Sequence, residues 1–249
     1  MPNKNPRNNT EHSSKPLLSI LVPVYNEEAT IKEIIEKITS LPIKNYEVLI
    51  VDDKSKDKSK EIIEKFSQKF NKPNVKLKIL THDKNSGKGA GIKSGLELAK
   101  GEYFIIQDAD LEYDPADIPD LLKSAIEDDH TVVYGSRFMG KIQGMPLANN
   151  YANRLYNFLL RRLYNTSITD MHTCYKLVNT KLMLDLEMSS EGFDYATELI
   201  SKLLRRSVAI HEVPINYNGR SKKEGKKIGV KDGIDCAYMI LKYRFGKST

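Results

Sequence analysis

The sequence predicts an α/β protein with a mostly parallel central sheet and helices on both faces. Three observations lead there. Short apolar runs rich in β-branched residues, sized for strands, recur through the first half of the chain. Segments with helical spacing of apolar residues separate them, and this alternation is the pattern of a parallel sheet covered on both faces. Each run also ends in polar or charged residues, at the rim where such sheets take their ligands.

Order begins at Leu17. LLSILVPVY reads as a buried strand stopped at Asn26-Glu27-Glu28, after which Thr30 suits the cap of a helix carrying Ile31, Ile34, Ile35 and Ile38 on one face. YEVLIVDD is a second strand, followed by a polar turn and a helix through Glu61 to Phe70. VKLKILTHD alternates as a third. After the glycine-rich NSGKGAG, a helix carries Ile92, Leu96 and Leu98 to a stop at Gly101. EYFIIQDAD is a fourth strand, residues 117–126 a helix, and TVVYGSRF a fifth strand. From about Met139 the pattern changes. YANRLYNFLLRRLYN reads as an amphipathic helix and TDMHTCYK as irregular. A helix lies around Ala196 to Leu204, VAIHEVPINY is strand-like, NGRSKKEGKKIGVKDG is a basic loop, and residues 234–243 form a last helix.

The 249 residues are 40% hydrophobic and 29% charged, which excludes wholesale disorder, a collagen-like fibre and a disulfide-stapled mini-protein. A formal charge of +6 favours anionic partners such as nucleotides, phospholipids or nucleic acid. Cys174 and Cys236 lie in no metal-ligand spacing and are expected to be free thiols. Residues 1–16 lack the apolar centre of a secretory signal and read as a polar tail. No apolar run nears the roughly 20 residues of a membrane-spanning helix, so the chain is not expected to cross a bilayer.

The sharpest chemical signal is Asp108-Ala109-Asp110. On an extended chain, side chains two residues apart share a side. Two carboxylates so placed suit a hard divalent cation, Mg²⁺ or Mn²⁺, with Glu112 as a further oxygen ligand. The same spacing also suits a solvated strand-end cluster capping the next helix. Asp52 and Asp53 end another buried strand, where a carboxylate can accept from a base or ribose or can satisfy a turn. NSGKGAG is neither a P-loop nor a dinucleotide fingerprint: His82 and Gly89 stand where a P-loop needs a glycine and a hydroxyl, and Ser94 stands at the third-glycine position. It leaves Lys88 available to a diphosphate at a helix start. Arg137, Arg154, Arg220, Lys226 and Lys227 are cations flanking this rim, suited to phosphate or to solvent. His172 and His211 read as structural.

Taken in order, VPVYNEE, VDDKSKD, NSGKGAGIKSGLELAKGEY, QDADLEYDP, YGSRF, TDMHTCYK and NGRSKKEGKKIGVKDG resemble the inverting family 2 glycosyltransferases of GT-A fold. The likeness spans about residues 17–245 and is strongest to the branch of dolichyl- and polyprenyl-phosphate mannosyl- and glucosyltransferases. It implies one GT-A catalytic domain over residues 17–249, with a nucleotide- and metal-binding half (17–138) and an acceptor-binding half (139–249). It further implies that Pro23, Tyr25, Glu27, Asp52, Asp83 and Lys88 hold the nucleotide, and that Asp108, Asp110 and Glu112 hold the metal. Arg137 and Arg154 match positions near the acceptor phosphate, and Arg220 and Lys226 a loop closing over the donor diphosphate. The implied partners are a nucleotide-sugar donor, GDP-mannose or UDP-glucose, and a polyprenyl or dolichyl phosphate. Many relatives continue into transmembrane helices where this sequence stops. A cytoplasmic protein is therefore expected, peripheral at the membrane face through surface helices or an integral-membrane partner.

A lipid monophosphate has a second pKa of about 6, so it is mostly a dianion near neutrality and needs cations rather than a base. A saccharide hydroxyl acceptor would need a carboxylate base, and Asp170 is the candidate. Two rivals remain: a nucleotidyltransferase, which would release pyrophosphate, and a nucleic-acid-binding module. The acidic strand ends argue against the second, since they repel a phosphate backbone, and no nucleic-acid partner is expected. The helices over residues 151–165 and 234–243 mix apolar and basic residues, which suits either an anionic interface or a core-facing helix with a wet side.

Overall fold

The first apolar runs become adjacent strands in the computed structural model, which describes residues 15–190, 192, 194–220 and 230–246, with backbone alone for 230–235. β1 (Leu18–Val24), β2 (Tyr46–Asp52), β3 (Val75–Thr81) and β4 (Tyr103–Ile106) pair in parallel in the order β3-β2-β1-β4. The crossovers are α1 (Ile31–Thr39), α2 (Ser59–Lys69) and α3 (Lys88–Leu98). Beyond β4, β5 (Val132–Ser136) does not pair with it. β7 (Lys176–Asn179) lies between them, antiparallel to both, and β8 (His211–Pro214) closes the sheet parallel to β5.

Strand alternation distributes two cores. Ile20 and Val22 of β1 meet Ile31, Ile34, Ile35 and Ile38 of α1 and Leu121 of α4 (Ile118–Glu127) on one face. Leu21, one residue out of phase, faces Ile92 of α3 and a second helical layer. That layer holds α5 (Leu147–Tyr164), α6 (Thr180–Asp185), α7 (Tyr195–Arg205) and α8 (Val230–Phe245). Burying an isoleucine this completely contributes about 1.5–3 kcal/mol. α3 lies so close to β1 that a Cβ at Gly95 would stand 2.3 Å from Leu21 Cδ1, and this close seat fixes the helix that begins at Lys88.

Several local expectations change. Only Tyr103–Ile106 of EYFIIQDAD is strand, so Asp108 and Asp110 lie in the following turn, not on an extended chain. The end of TDMHTCYK opens β7, whose antiparallel partners are remote in sequence. VAIHEVPINY divides: His211–Pro214 joins the main sheet, while β9 (Tyr217–Asn218) pairs with β6 (Ile142–Gln143) in a separate ribbon. The helix expected from Tyr151 starts earlier, at Leu147. Thr30 stands at the N-cap of α1, but its hydroxyl donates to the Glu27 carboxylate at 3.2 Å rather than capping the helix.

Glu198 anchors the second layer. Fully buried on α7, it accepts from the Ser189 and Ser190 amides and the Ser189 hydroxyl and pairs with Lys202 at 2.7 Å. Burial alone would raise its pKa, but Lys202 and the serine donors outweigh it and hold the carboxyl at about 2. A depressed folded-state pKa gives stability that is present at neutral pH and lost as pH falls from the usual 4.5 towards 2. Glu198→Gln should therefore destabilise the protein by about 1–3 kcal/mol at pH 7 and by much less near pH 2.5. Urea midpoints at the two pH values test this; a deficit independent of pH would reject it.

Candidate active site at the carboxyl rim of the sheet

The loops leaving β1 and β2 are sewn together by side chains. Asn26 adopts a left-handed turn (φ 56°), which asparagine tolerates better than most residues, and its Oδ1 accepts from Lys56 N at 2.7 Å. Glu27 N donates to Ser59 Oγ at 2.8 Å, fixing the glutamate at the rim next to Pro23 and Tyr25. At the end of β2 the two aspartates separate. Asp53 accepts from Ser86 N and Gly87 N at 2.9 and 2.8 Å and contacts His82 Nδ1 at 2.8 Å, so it serves the glycine-rich turn. Asp52 instead faces the Ser55 amide at 3.3 Å. Asp83 is exposed at the end of β3. Gly87 (φ 92°) turns the chain into α3 and delivers Lys88.

Lys88 Nζ reaches Asp108 Oδ1 at 2.5 Å. Leu111, also left-handed at φ 61°, folds the chain back so that Glu112 N donates to Asp110 Oδ1 at 3.1 Å. Arg220 closes the group from far along the sequence: one guanidinium nitrogen meets Glu27 Oε2 at 3.2 Å and another Asp110 Oδ2 at 3.0 Å. Its backbone N donates to Glu112 Oε1 at 2.9 Å, while Tyr217 OH donates to Glu112 Oε2 at 2.7 Å. Four carboxylates thus share two cations. Burial, Asp108 and Glu112 push Asp110 up to about 6 despite Arg220. Burial would likewise raise Asp108, but Lys88 holds it below its usual value; the lysine in turn is raised, Asp108 outweighing its burial.

This set suits a hard cation: its donors are oxygens, and it is short of positive charge. Among the described residues no three acidic, histidine or cysteine side chains form a ready-made metal cage. The carboxylates are turned instead to Lys88, Arg220 and Tyr217. Two neighbours escape sequence reading. Gln107 is buried and links the Asp108 carbonyl (2.9 Å) to Tyr175 OH (2.5 Å). The Cys174 thiol, pushed far up by burial and by Asp108, donates to Ile106 O at 3.4 Å.

The remaining candidates lie apart. Arg137 is buried and grips Asp170 through Nε at 2.7 Å, a second guanidinium nitrogen at 2.8 Å and its backbone N at 2.9 Å. Its guanidinium also stands 5.1 Å from the centre of the Tyr217 ring. Asp170 is fully buried, and its own amide donates to Glu212. Arg154 is exposed on α5, bonded to Asn150 Oδ1. Lys226 lies outside the described residues. His172 sits between Asn153 Oδ1 and Cys236 Sγ, at 3.1 and 3.2 Å.

Residues 19–186 match the model of glycosyl transferase family 2. The chain belongs to that family. This family 2 member is 27% identical over 234 residues to dolichol-phosphate mannosyltransferase of Pyrococcus furiosus, covering 91% of this chain and 64% of the relative. It is 28% identical over 210 residues to the low-salt glycan biosynthesis hexosyltransferase Agl6 of Haloferax volcanii, covering 82% of this chain and 48% of the relative. The chain therefore spans only about half to two thirds of these curated relatives' length. Among solved structures, glucosyl-3-phosphoglycerate synthase from Mycobacterium tuberculosis, in complex with Mn²⁺, UDP and glucosyl-3-phosphoglycerate, superposes with a TM-score of 0.69 at 15% identity. The match covers 94% of this chain and 82% of that one, so the fold is GT-A-like.

Two stability effects follow from the geometry. Asp53→Ala strands two amides and frees the turn before Lys88, so amide exchange at Ser86 and Gly87 should accelerate by about tenfold or more; unchanged exchange would reject the role. Arg137→Ala leaves Asp170 buried without its partner and should cost about 3–5 kcal/mol in chemical denaturation. A loss under 1 kcal/mol, on the order of an exposed pair, would show that the bond is not what holds this loop.

Proposed function

We propose that this chain is an inverting hexosyltransferase that moves a hexose from GDP-mannose or UDP-glucose to a polyprenyl or dolichyl phosphate, assisted by Mg²⁺ or Mn²⁺. The observation that carries the reading is the cluster of Asp108, Asp110 and Glu112 with Lys88 and Arg220 at the carboxyl rim of a family 2 protein. The likeness to a dolichol-phosphate mannosyltransferase supports the acceptor class, and the Mn²⁺ and UDP bound by the mycobacterial synthase support the metal and donor class.

Asp108, Asp110 and Glu112 would hold the cation, which when bound supplies positive charge against the leaving nucleoside diphosphate. Pro23, Tyr25, Glu27, Asp52 and Asp83 form the nucleoside side of the pocket. Lys88 and Arg220 already face carboxylates, and the diphosphate offers them stronger anionic partners. An acceptor phosphate oxygen attacks the anomeric carbon from the side opposite the diphosphate. The bond from that carbon to the diphosphate oxygen breaks, and the electron pair leaves with the nucleotide. The dianion carries no proton to remove, so the step needs no base. Arg154 and Lys226 meet the acceptor phosphate and donor diphosphate respectively, while Arg137, its charge committed to Asp170, positions the acceptor side of the site. Asp170, committed to Arg137, acts as a positioning residue, which disfavours a hydroxyl acceptor. The protein works peripherally at the cytoplasmic membrane face.

Incubation with each nucleotide sugar, polyprenyl phosphate and Mn²⁺ should yield nucleoside diphosphate and a lipid-linked hexose of inverted anomeric configuration. Asp110→Ala should lower turnover by about 100-fold or more while leaving the melting temperature nearly unchanged. Release of pyrophosphate, or turnover indifferent to Asp110, would reject the mechanism.

A further inference from the structure

Asp108, Asp110 and Glu112 ride on one short turn, and a buried side-chain amide holds that turn from beneath. Gln107 is the residue after β4. Its backbone N donates to Leu21 O at 2.8 Å, so it extends the pairing with β1 one step past the strand. Its side chain is fully buried. Nε2 donates to Asp108 O at 2.9 Å and, more loosely, to Tyr113 O at 3.4 Å. Those two carbonyls belong to the first and last residues of the segment 108–113 that carries all three acids. At the other end of the amide, Oε1 accepts from Tyr175 OH at 2.5 Å.

Chemistry leaves the amide this orientation alone. Flipped, it would set Oε1 against two carbonyl oxygens, three acceptors with no proton between them. Tyr175 supplies the matching donor, since burial raises its phenol well above the usual value and keeps the proton on it. Tyr175 is itself fixed. Its ring lies 5.2 Å from that of Tyr113, which lies 5.2 Å from that of Tyr217, and its carbonyl accepts from Gly135 N of β5 at 2.8 Å. Gln107 thus ties both ends of the turn to the sheet and to an aromatic wall. Between those ends Leu111 is left-handed at φ 61° and Glu112 N donates to Asp110 Oδ1 at 3.1 Å, a compact shape that opens if the ends part. The amide brings no charge to the cluster, so it acts on the acids through shape.

We infer that Gln107 is a positioning residue for the divalent cation, holding Asp108, Asp110 and Glu112 together by stapling their turn. The staple stands on the hydrogen bonds alone; its use toward a cation rests on the proposed reaction. Gln107→Met keeps the side-chain volume and removes the amide. Mn²⁺ binding, read by paramagnetic resonance, should weaken by about tenfold or more, the usual effect of losing a group that supports metal ligands. Affinity for GDP and UDP without metal should be unchanged, a split that general loosening of the fold would not give. In metal-free protein the Glu112 amide should exchange about tenfold faster or more. Tyr175→Phe keeps the ring and removes only the donor to Oε1. It should shift Mn²⁺ affinity and exchange the same way by less, and add nothing in the Gln107→Met background. This milder variant decides the matter if Gln107→Met does not fold. Wild-type protein that takes up no Mn²⁺ would overturn the role toward the cation and the proposed reaction with it, even where the exchange effect persists. Unchanged Mn²⁺ affinity and Glu112 exchange in the variants would overturn the staple, as would an equal loss of metal-free nucleotide binding.

Discussion

Four carboxylates crowd the ends of β1 and β4, and two cations answer them. Glu27, Asp108, Asp110 and Glu112 would repel one another at this depth without Lys88 and Arg220. Much of the local backbone serves that arrangement. Left-handed turns at Asn26 and Leu111 aim the glutamates inward, and Gly87 swings Lys88 onto Asp108. A non-glycine left-handed residue costs on the order of 1 kcal/mol, which is tolerated where charge pairing more than offsets it. The imbalance that remains shows in Asp110, which burial, Asp108 and Glu112 hold at about 6 despite Arg220.

The first half of the fold was legible because its signals are local. Apolar runs such as SILVPV and EVLIVD carry their burial in composition, and Ile31, Ile34, Ile35 and Ile38 mark their face by spacing. The site's acidic residues were legible too, since they follow buried strands. Pairings across distance were not. Nothing near KLVN announces that it will divide β4 from β5, because that choice is made by partners tens of residues away. Arg137 reads as a rim cation; its burial against Asp170 depends on a loop arriving from beyond α5. The same holds for Tyr217, whose hydroxyl on Glu112 no local pattern foretells.

Asp52 and Asp53 illustrate how the fold resolves an ambiguity that sequence leaves open. Adjacent residues at a strand end point to different sides. Asp53 turns to the amides of Ser86 and Gly87, a structural duty that holds the glycine-rich turn against β2. Asp52 is left towards the loop after β2, beside the seam that Asn26 and Ser59 make with β1. One carboxylate holds the glycine-rich turn and its neighbour faces the loop after β2.

The antiparallel intruder β7 has a consequence for how the molecule is made. As the nascent chain leaves the ribosome, β3, β2, β1 and β4 can complete their mutual ladder by Ile106. β5 emerges next with no neighbour in existence, since both strands it bonds to are translated later. It must wait as an unpaired edge until Lys176–Asn179 is delivered. Both neighbours of β5 thus come from later chain, and completing this half of the sheet depends on long-range pairing.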